Sequence, residues 1–377
     1  MKEGWEYKKL GEVCQITMGQ SPAGNSINEN EGIEFHQGKT CFGDRFLGFS
    51  ALYSNSPLRI AEPNSVLLCV RAPVGFPNIT DRKVCIGRGV CALMAKEILD
   101  NNFLYYSLLG KQSYFEKNAT GSTFKAISSK VVSNTPIAIP SKSVQLAIVA
   151  ELDQINDLIR LKKEQLKEYD NLAQSIFYDM FGDPVENEKG WEVKKLGELS
   201  EKLGDGLHGT PIYCENSGYY FVNGNNLESG TVVYTDKTRQ VPKEEYLKYF
   251  IEFGKQTLFV SINGTIGKLA YYSGEKIILG KSACYINLRP EVNKVFVYNI
   301  LASNYFRKYT LGEKTGSTIS NVSLKSMRNF PVPLPPLPLQ QEFSSRIEQI
   351  EKLKTEVQKT ITDLETLLAS RMQYWFE

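Results

Sequence analysis

SVQLAIVAELDQINDLIRLKKEQLKEYDNLAQSIFYDMFG, residues 143–182, decides the fold. Within it Ile148, Leu152, Ile155, Ile159, Leu166, Tyr169, Ala173, Ile176 and Met180 recur at alternating steps of four and three, with Lys162 filling the one gap. A stripe of that period held for more than four heptads predicts one long helix that packs against another helix. Shifted by 195 positions the stripe returns as Phe343, Ile347, Ile350, Lys354, Val357, Ile361, Leu364, Leu368, Arg371 and Trp375. Two helices of about 37 residues, each ~55 Å long, can therefore pair within one chain. The expected interhelix seam is Ile148, Leu152, Ile155, Ile159, Leu166 and Ile176 against Phe343, Ile347, Ile350, Ile361, Leu364 and Leu368. Other apolar residues on the helices, Val149, Leu158, Phe177, Leu353, Leu367, Met372 and Phe376, are candidates for contact with partner proteins. Lys162, Lys354 and Arg371 interrupt the stripe at positions that do not align, and charges in a seam can fix its register.

The repeat extends beyond the helices. Residues 4–13, GWEYKKLGEV, and 190–199, GWEVKKLGEL, agree at eight of ten positions. The offset here is 186 rather than 195, so the second segment carries nine extra residues between shared ends. An internal duplication governs the whole fold, and four parts follow from it: 1–142 and 183–337 as globular domains, 143–182 and 338–377 as helices. The short β-rich runs 65–70 and 256–260 each precede a glycine turn, at Gly75 and at Gly264/Gly267. Gly87 and Cys91 answer Gly280 and Cys284, helical patterns follow at 103–115 and 295–309, and each segment closes on Gly-Ser-Thr, 121–123 and 316–318. Pro136 and Pro140, and the run of prolines from Pro331 to Pro338, predict stiff extended joints between globule and helix.

With 42% apolar and 23% charged residues among 377, the composition is that of a soluble globular protein of two domains. No stretch is long and apolar enough for a membrane span, which points to the cytoplasm and away from a membrane. Seven cysteines without a CxxC pair and two separated histidines, His36 and His208, argue against a disulfide framework or a zinc site. The net charge of +2 divides into +4 for 1–142, −3 for 143–182, +3 for 183–337 and −2 for 338–377. Basic globules alternate with acidic helices, a pattern suited to polyanion binding by the former and protein contact by the latter.

Catalytic motifs fail one by one. Gly280-Lys281-Ser282 lacks the glycine five places upstream that a phosphate loop needs. Asp183 with Glu192 and Lys194 has the outline of a nuclease metal site, but the duplicated Glu6 and Lys8 have no matching aspartate. No Asn-Pro-Pro or Asp-Pro-Pro loop is present to hold a flipped base. What remains is material for nucleic-acid contact: Arg45, Arg71, Arg82, Lys83, Arg88 and Lys125 in the first segment, and Arg239, Lys268, Lys281, Lys314, Lys325 and Arg328 in the second. Asn223, Asn225, Asn226, Asn263 and Thr265 lie among them as potential base readers. Two copies that keep a frame and vary between suit two readers of different short sequences.

The tandem arrangement, the opening WExKKLGE and the closing GST…PLPPLPLQQ before a long helix resemble the specificity subunits of type I restriction–modification enzymes. The first copy keeps GSTFKAIS and IPSKSVQL, with Ser141-Lys142 where that family often has Pro-Leu. The resemblance implies an α+β fold of two tandem mixed α/β target-recognition domains separated by two long antiparallel coiled-coil helices with pseudo-twofold symmetry. It implies a non-catalytic subunit that reads a bipartite, asymmetric site in double-stranded DNA. Two modification subunits would carry S-adenosylmethionine, and restriction subunits would carry ATP and Mg. The rivals are a stand-alone DNA-modifying enzyme and a coiled-coil scaffold without a DNA role.

Overall fold

A computed structural model describes residues 4–121, 125–312 and 321–376. Lys314 and both closing Gly-Ser-Thr segments, except Gly121, lie outside the described residues. The chain divides into two compact units: residues 1–164 with 358–377, and residues 165–357. This division cuts across the four-part scheme, because each unit takes half of one long helix and the end of the other.

In the first unit, strand Glu6–Lys9 pairs antiparallel with Pro136–Ile139, so the start of the globular segment is bonded to its exit. A four-stranded antiparallel sheet follows in the order Cys14–Met18, Val90–Ala95, Val66–Cys69, Pro77–Ile79. Beside it is a five-stranded sheet in which Ile33–His36 runs parallel to Val84–Ile86. Strand Val66–Cys69 is buried on both faces: Val66 and Leu68 join the core under the helices, and Leu67 joins Val84, Ile86 and Val90 in a second core. A strand covered on both faces reads as an unbroken apolar run, hence SVLLCV. Helix Asn101–Leu109 starts where the Asp100 carboxylate accepts from the Asn102 and Phe103 amides.

The second unit repeats the plan. Glu192–Lys195 pairs with Pro331–Leu334, and the sheet runs Ser200–Asp205, Ala283–Leu288, Thr257–Ser261, Leu269–Tyr271. Asn293 caps helix Lys294–Ala302 as Asp100 does in the first copy. Gln145 accepts from the Asp100 amide, and its counterpart Gln340 accepts from the Asn293 amide. Of the joint prolines, expected to be stiff and extended, Pro136, Pro331 and Pro333 sit in these two-stranded ladders, and Pro338 lies in the first turn of the second long helix. A two-stranded ladder leaves one side of each strand unbonded, where a proline costs no hydrogen bond.

Strand registers locate the nine extra residues. Opposite the equivalent strands Val90–Ala95 and Ala283–Leu288, Ala95 faces Cys14 and Leu288 faces Ser200, an offset of 186 across the outer pair. A register shift between Ser200 and Lys202 admits Glu201, so Met18 answers Asp205 at 187. Gly75 and Gly267 close the same turn at 192, both with positive φ (83° and 86°). Asp100 and Asn293 stand 193 apart, and Ile127 and Val322, bonded to Val70 and Ile262, stand 195 apart. The insertion is spread over four places, each between conserved frame elements.

The long helices run Lys142–Phe181 and Leu337–Phe376, 40 residues each. In the first unit Glu151 accepts from Arg371 and from Trp375 Nε1 (3.0 Å), and Lys163 pairs with Glu365 at 2.9 Å. Those pairings descend one helix as they ascend the other, so the segments are antiparallel. In the second unit Asp170 pairs with Lys354 at 2.8 Å, and the ring centroids of Phe177 and Phe343 lie 5.7 Å apart. Arg371 and Lys354, two of the three interruptions of the stripe, thus hold interhelix ion pairs.

Seam residues Ile148, Leu152, Ile155, Ile159, Phe343, Ile347, Ile350 and Ile361 are buried; Leu166, Ile176, Leu364 and Leu368 are half-buried. Ile148 and Leu152 also enter the first unit's main core, and Phe343, Ile347 and Ile350 that of the second. Four residues expected to face partners are used internally. Val149 and Phe177 are buried in domain cores, and Met372 and Phe376 pack on the first core, Phe376 against Phe103 at 5.5 Å. The cause is that each core takes its cover from the start of one helix and the end of the other, which draws in residues off the heptad stripe. Trp5 stacks on Trp375 at 6.2 Å, and Trp191 Nε1 donates to Phe181 O, so each domain's opening tryptophan is anchored on a helix end.

Candidate nucleic-acid interface

Backbone bonds gather the same loops at one edge of each domain. In the first, Gln20 N donates to Ile86 O (3.0 Å), Val70 N to Gly89 O (2.9 Å), and Ala72 N to Lys125 O (2.9 Å). Gly19 and Gly89 have no room for a Cβ, which would collide with Gly87 O and Gln37 O. These bonds bring Arg71, Arg88 and Lys125 to one edge, all exposed, and none makes an ion pair among the described residues.

The second domain makes the matching bonds: Leu207 N to Leu279 O (2.7 Å), Lys281 N to Leu207 O (3.0 Å) and Ile262 N to Ser282 O (2.9 Å). Gly224 N donates to Ser282 Oγ at 2.9 Å, which adds the Asn223–Asn225 turn to the edge. Asn263 bridges to Asn321, and Thr265 sits exposed in the adjoining turn, where Ser261 Oγ donates to Thr265 O. Lys281, at the position of Arg88, is exposed, and Lys268 is half-buried; neither forms an ion pair among the described residues. Lys325 is exposed in helix Leu324–Asn329, three residues beyond Val322, whose amide bonds to Ile262 O.

Other expected contacts do not reach these edges. Arg45 pairs with Asp153 of the first long helix at 2.5 Å and donates to Asn102 at 2.8 Å. Lys83 pairs with Glu62 at 3.3 Å and opens the strand that Arg88 follows, so the two lie at opposite ends of it. Arg82 makes two bonds to the buried Glu34, and Arg328 donates to Leu203 O. Asn226 is buried and donates to Val233 O and Thr238, while the Asn223 oxygen caps its own turn through Asn225 N. Arg45, Arg82, Lys83 and Arg328 are thus neutralised or tied to backbone, while Arg71, Arg88, Lys125, Lys268 and Lys281 on the edges form no ion pair among the described residues. Unneutralised charge is what a phosphate backbone recruits.

The edge also holds residues that the sequence did not single out: Ser21, whose Oγ accepts from Arg88 N (3.5 Å), and Asp205 with His208, 2.7 Å apart. The one-residue bulge at Glu201 hides the match between Ser21 and His208 from a fixed-offset comparison. Among the described residues no three His, Cys, Asp or Glu side chains are placed to hold a metal ion, and no helix is long and apolar enough to cross a membrane. All seven cysteines are free; burial pushes the Cys14 and Cys69 thiols up to about 12.

Arg88→Ala and Lys281→Ala should each reduce the slope of log affinity for DNA against log salt by about 0.9, one phosphate contact's share. Lys83→Ala should leave the slope unchanged. Fluorescence anisotropy titrations over a series of salt concentrations check both.

A family model described as the type I restriction modification DNA specificity domain matches residues 2–169 and again 188–366. The putative type I restriction enzyme MjaX specificity subunit of Methanocaldococcus jannaschii is 38% identical over 178 residues, 46% of this chain and 42% of that protein. The MjaIX specificity subunit of the same organism is 24% identical over 96% of this chain and 90% of its own length. Among solved structures, the S subunit of a type I restriction–modification system from M. genitalium aligns over 99% of this chain and 96% of its own (TM-score 0.57, 16% identity). A chain from a structure described as underlying complex assembly and conformational transition of the type I system aligns over 100% of this chain and 98% of its own (TM-score 0.64, 17% identity).

Proposed function

The chain belongs to the type I restriction modification DNA specificity family, and from that premise we propose that each compact unit reads one half of a split, asymmetric site in double-stranded DNA. The observation that carries the proposal is the duplicated edge, with Arg71, Arg88 and Lys125 in one copy and Asn263, Lys268 and Lys281 in the other. The frame is common while the side chains differ, so the halves read are different. The chain performs no chemistry itself. Modification subunits bring S-adenosylmethionine, restriction subunits bring ATP and Mg, and the assembly works in the cytoplasm.

The helices supply a docking surface that is itself duplicated. Leu158 and Leu353 are 47% and 43% exposed, and Leu172 and Leu367 both 45%; each pair is separated by 195 positions. Leu158 and Leu367 belong to the first unit and Leu172 and Leu353 to the second, so each unit shows one such exposed leucine from each helix. A surface present twice suits two copies of one modification subunit.

Replacing residues 190–330 with the matching segment of a relative that has a different specificity should change one half of the methylated sequence and leave the other. Mapping methylated bases in cells that carry the hybrid chain and its partner subunits checks this. A change in both halves, or in neither, would overturn the two-reader model. Methyl transfer by the purified chain alone would overturn the division of labour.

A further inference from the structure

We propose that His208, oriented by Asp205, contacts a base edge and fixes one position of the half-site read by the second unit. The proposal rests on the reading edge described above and extends it to a residue outside the cation cluster. Residues 18–21 and 205–208 are equivalent: Met18 and Asp205 end the outer strand opposite Cys91 and Cys284. Gln20 and Leu207 then bond to Ile86 and Leu279, the same position of the facing strand. Each loop therefore delivers its next residue, Ser21 or His208, beside the turn that presents Arg88 or Lys281.

Three of these four positions differ between the copies, and two of the differences are linked. Where the first has Met18 and Ser21, the second has Asp205 and His208, and the Asp205 Oδ2 lies 2.7 Å from His208 Nε2. The His208 side chain is 72% exposed while Asp205 is 22% exposed. Burial does not account for the ring, because most of it faces water. What the pair achieves is orientation: Nε2–H donates to the carboxylate, which leaves Nδ1 as the atom free to bond outward. As an acceptor in a groove, Nδ1 suits the exocyclic amine of adenine or cytosine. A carboxylate behind a histidine holds one tautomer and one ring position, a requirement for a reader and not for a residue that merely meets solvent.

Base-edge contact predicts a loss confined to one base pair. In the complete system, with its partner subunits, His208→Ala should relax the methylated motif at one position of one half-site, with about tenfold weaker discrimination there. The other half-site should be unchanged. Asp205→Ala should weaken discrimination at the same position, since it acts through His208 as a positioning residue. A motif identical to wild type in the His208 variant would overturn the proposal while leaving the two-reader model intact. A wild-type motif that is not bipartite would sink the two-reader model itself. Binding of the purified complex gives a second readout that does not need catalysis. Affinity for the wild-type site should fall about tenfold and affinity for unrelated DNA should not; an equal fall on both would make His208 a phosphate contact and overturn the proposal.

Discussion

Phe343→Ala is expected to destabilise the second unit by about 3–5 kcal/mol, the cost of emptying a fully buried aromatic site. Phe343 is 0% exposed. Its ring lies 5.7 Å from Phe177 and 5.1 Å from Phe181, both of which reach Phe296 of the recognition domain, at 6.0 and 5.0 Å. Four rings from three elements thus share one site, and residues rigidly tied to helices and sheet cannot collapse into the void. For a unit of this size the loss corresponds to roughly 10 °C in unfolding temperature. Leu367→Ala, on the exposed helix face, should shift stability by no more than ~0.5 kcal/mol. Calorimetric or circular-dichroism melts of the two variants make the comparison. Similar melts for both would show that the helix ends do not complete the core.

Glu34→Ala is expected to cost the first unit about 3 kcal/mol, because it removes the buried carboxylate of a half-buried arginine whose remaining ion pair is to the exposed Asp81. Glu34 accepts from Arg82 Nε (2.7 Å) and Nη2 (2.8 Å), from the Ser50 amide (2.6 Å) and from His36 Nε2 (3.0 Å). Arg82 in turn donates to Leu47 O and Gly48 O, so the cluster ties the loop before residue 50 to two strands. Burial alone would raise the Glu34 pKa, but the Arg82 bonds, the Ser50 amide and the neighbouring charges override it and hold the carboxyl below its usual range. Burial also lowers the His36 pKa, more than Glu34 raises it.

Both shifts act on the acid side. The unfolded chain takes up a proton on His36 before the folded one does, so stability declines as pH falls below about 6.5, the ordinary imidazole value. Glu34 adds to the decline below about 4.3, where its unfolded carboxyl protonates first, and its contribution is gone once pH passes the folded value. Unfolding temperature measured from pH 7.5 to pH 4 should therefore fall, and His36→Gln should flatten the upper part of that curve. A curve unchanged by the substitution would show that His36 does not titrate with folding.

The long helices were legible because their signal is local: four-three spacing over ten positions needs no knowledge of the rest of the fold. The duplication was legible from WExKKLGE alone. Contacts that depend on distant partners were not. Arg45 and Arg71 look alike in sequence, but Asp153, 108 positions away, neutralises only the first. Val149 and Phe177 lie off the heptad stripe, and whether such residues face a partner or their own core depends on how a domain seats on its helix. His208 was hidden for a different reason: one bulged residue, Glu201, sets it 187 positions from Ser21, where the opening segments stand 186 apart.

The ladder Glu6–Lys9 with Pro136–Ile139, repeated as Glu192–Lys195 with Pro331–Leu334, has a bearing on how such a chain changes over generations. Entry and exit of each globular segment lie side by side, so the polypeptide between them behaves as a cassette whose length is invisible to its surroundings. The second cassette is nine residues longer than the first, and both doorways keep the same pairing. Genetic exchange with breakpoints in the two doorway strands would transplant a whole recognition module at once, and a cell could acquire a new DNA specificity in a single recombination event.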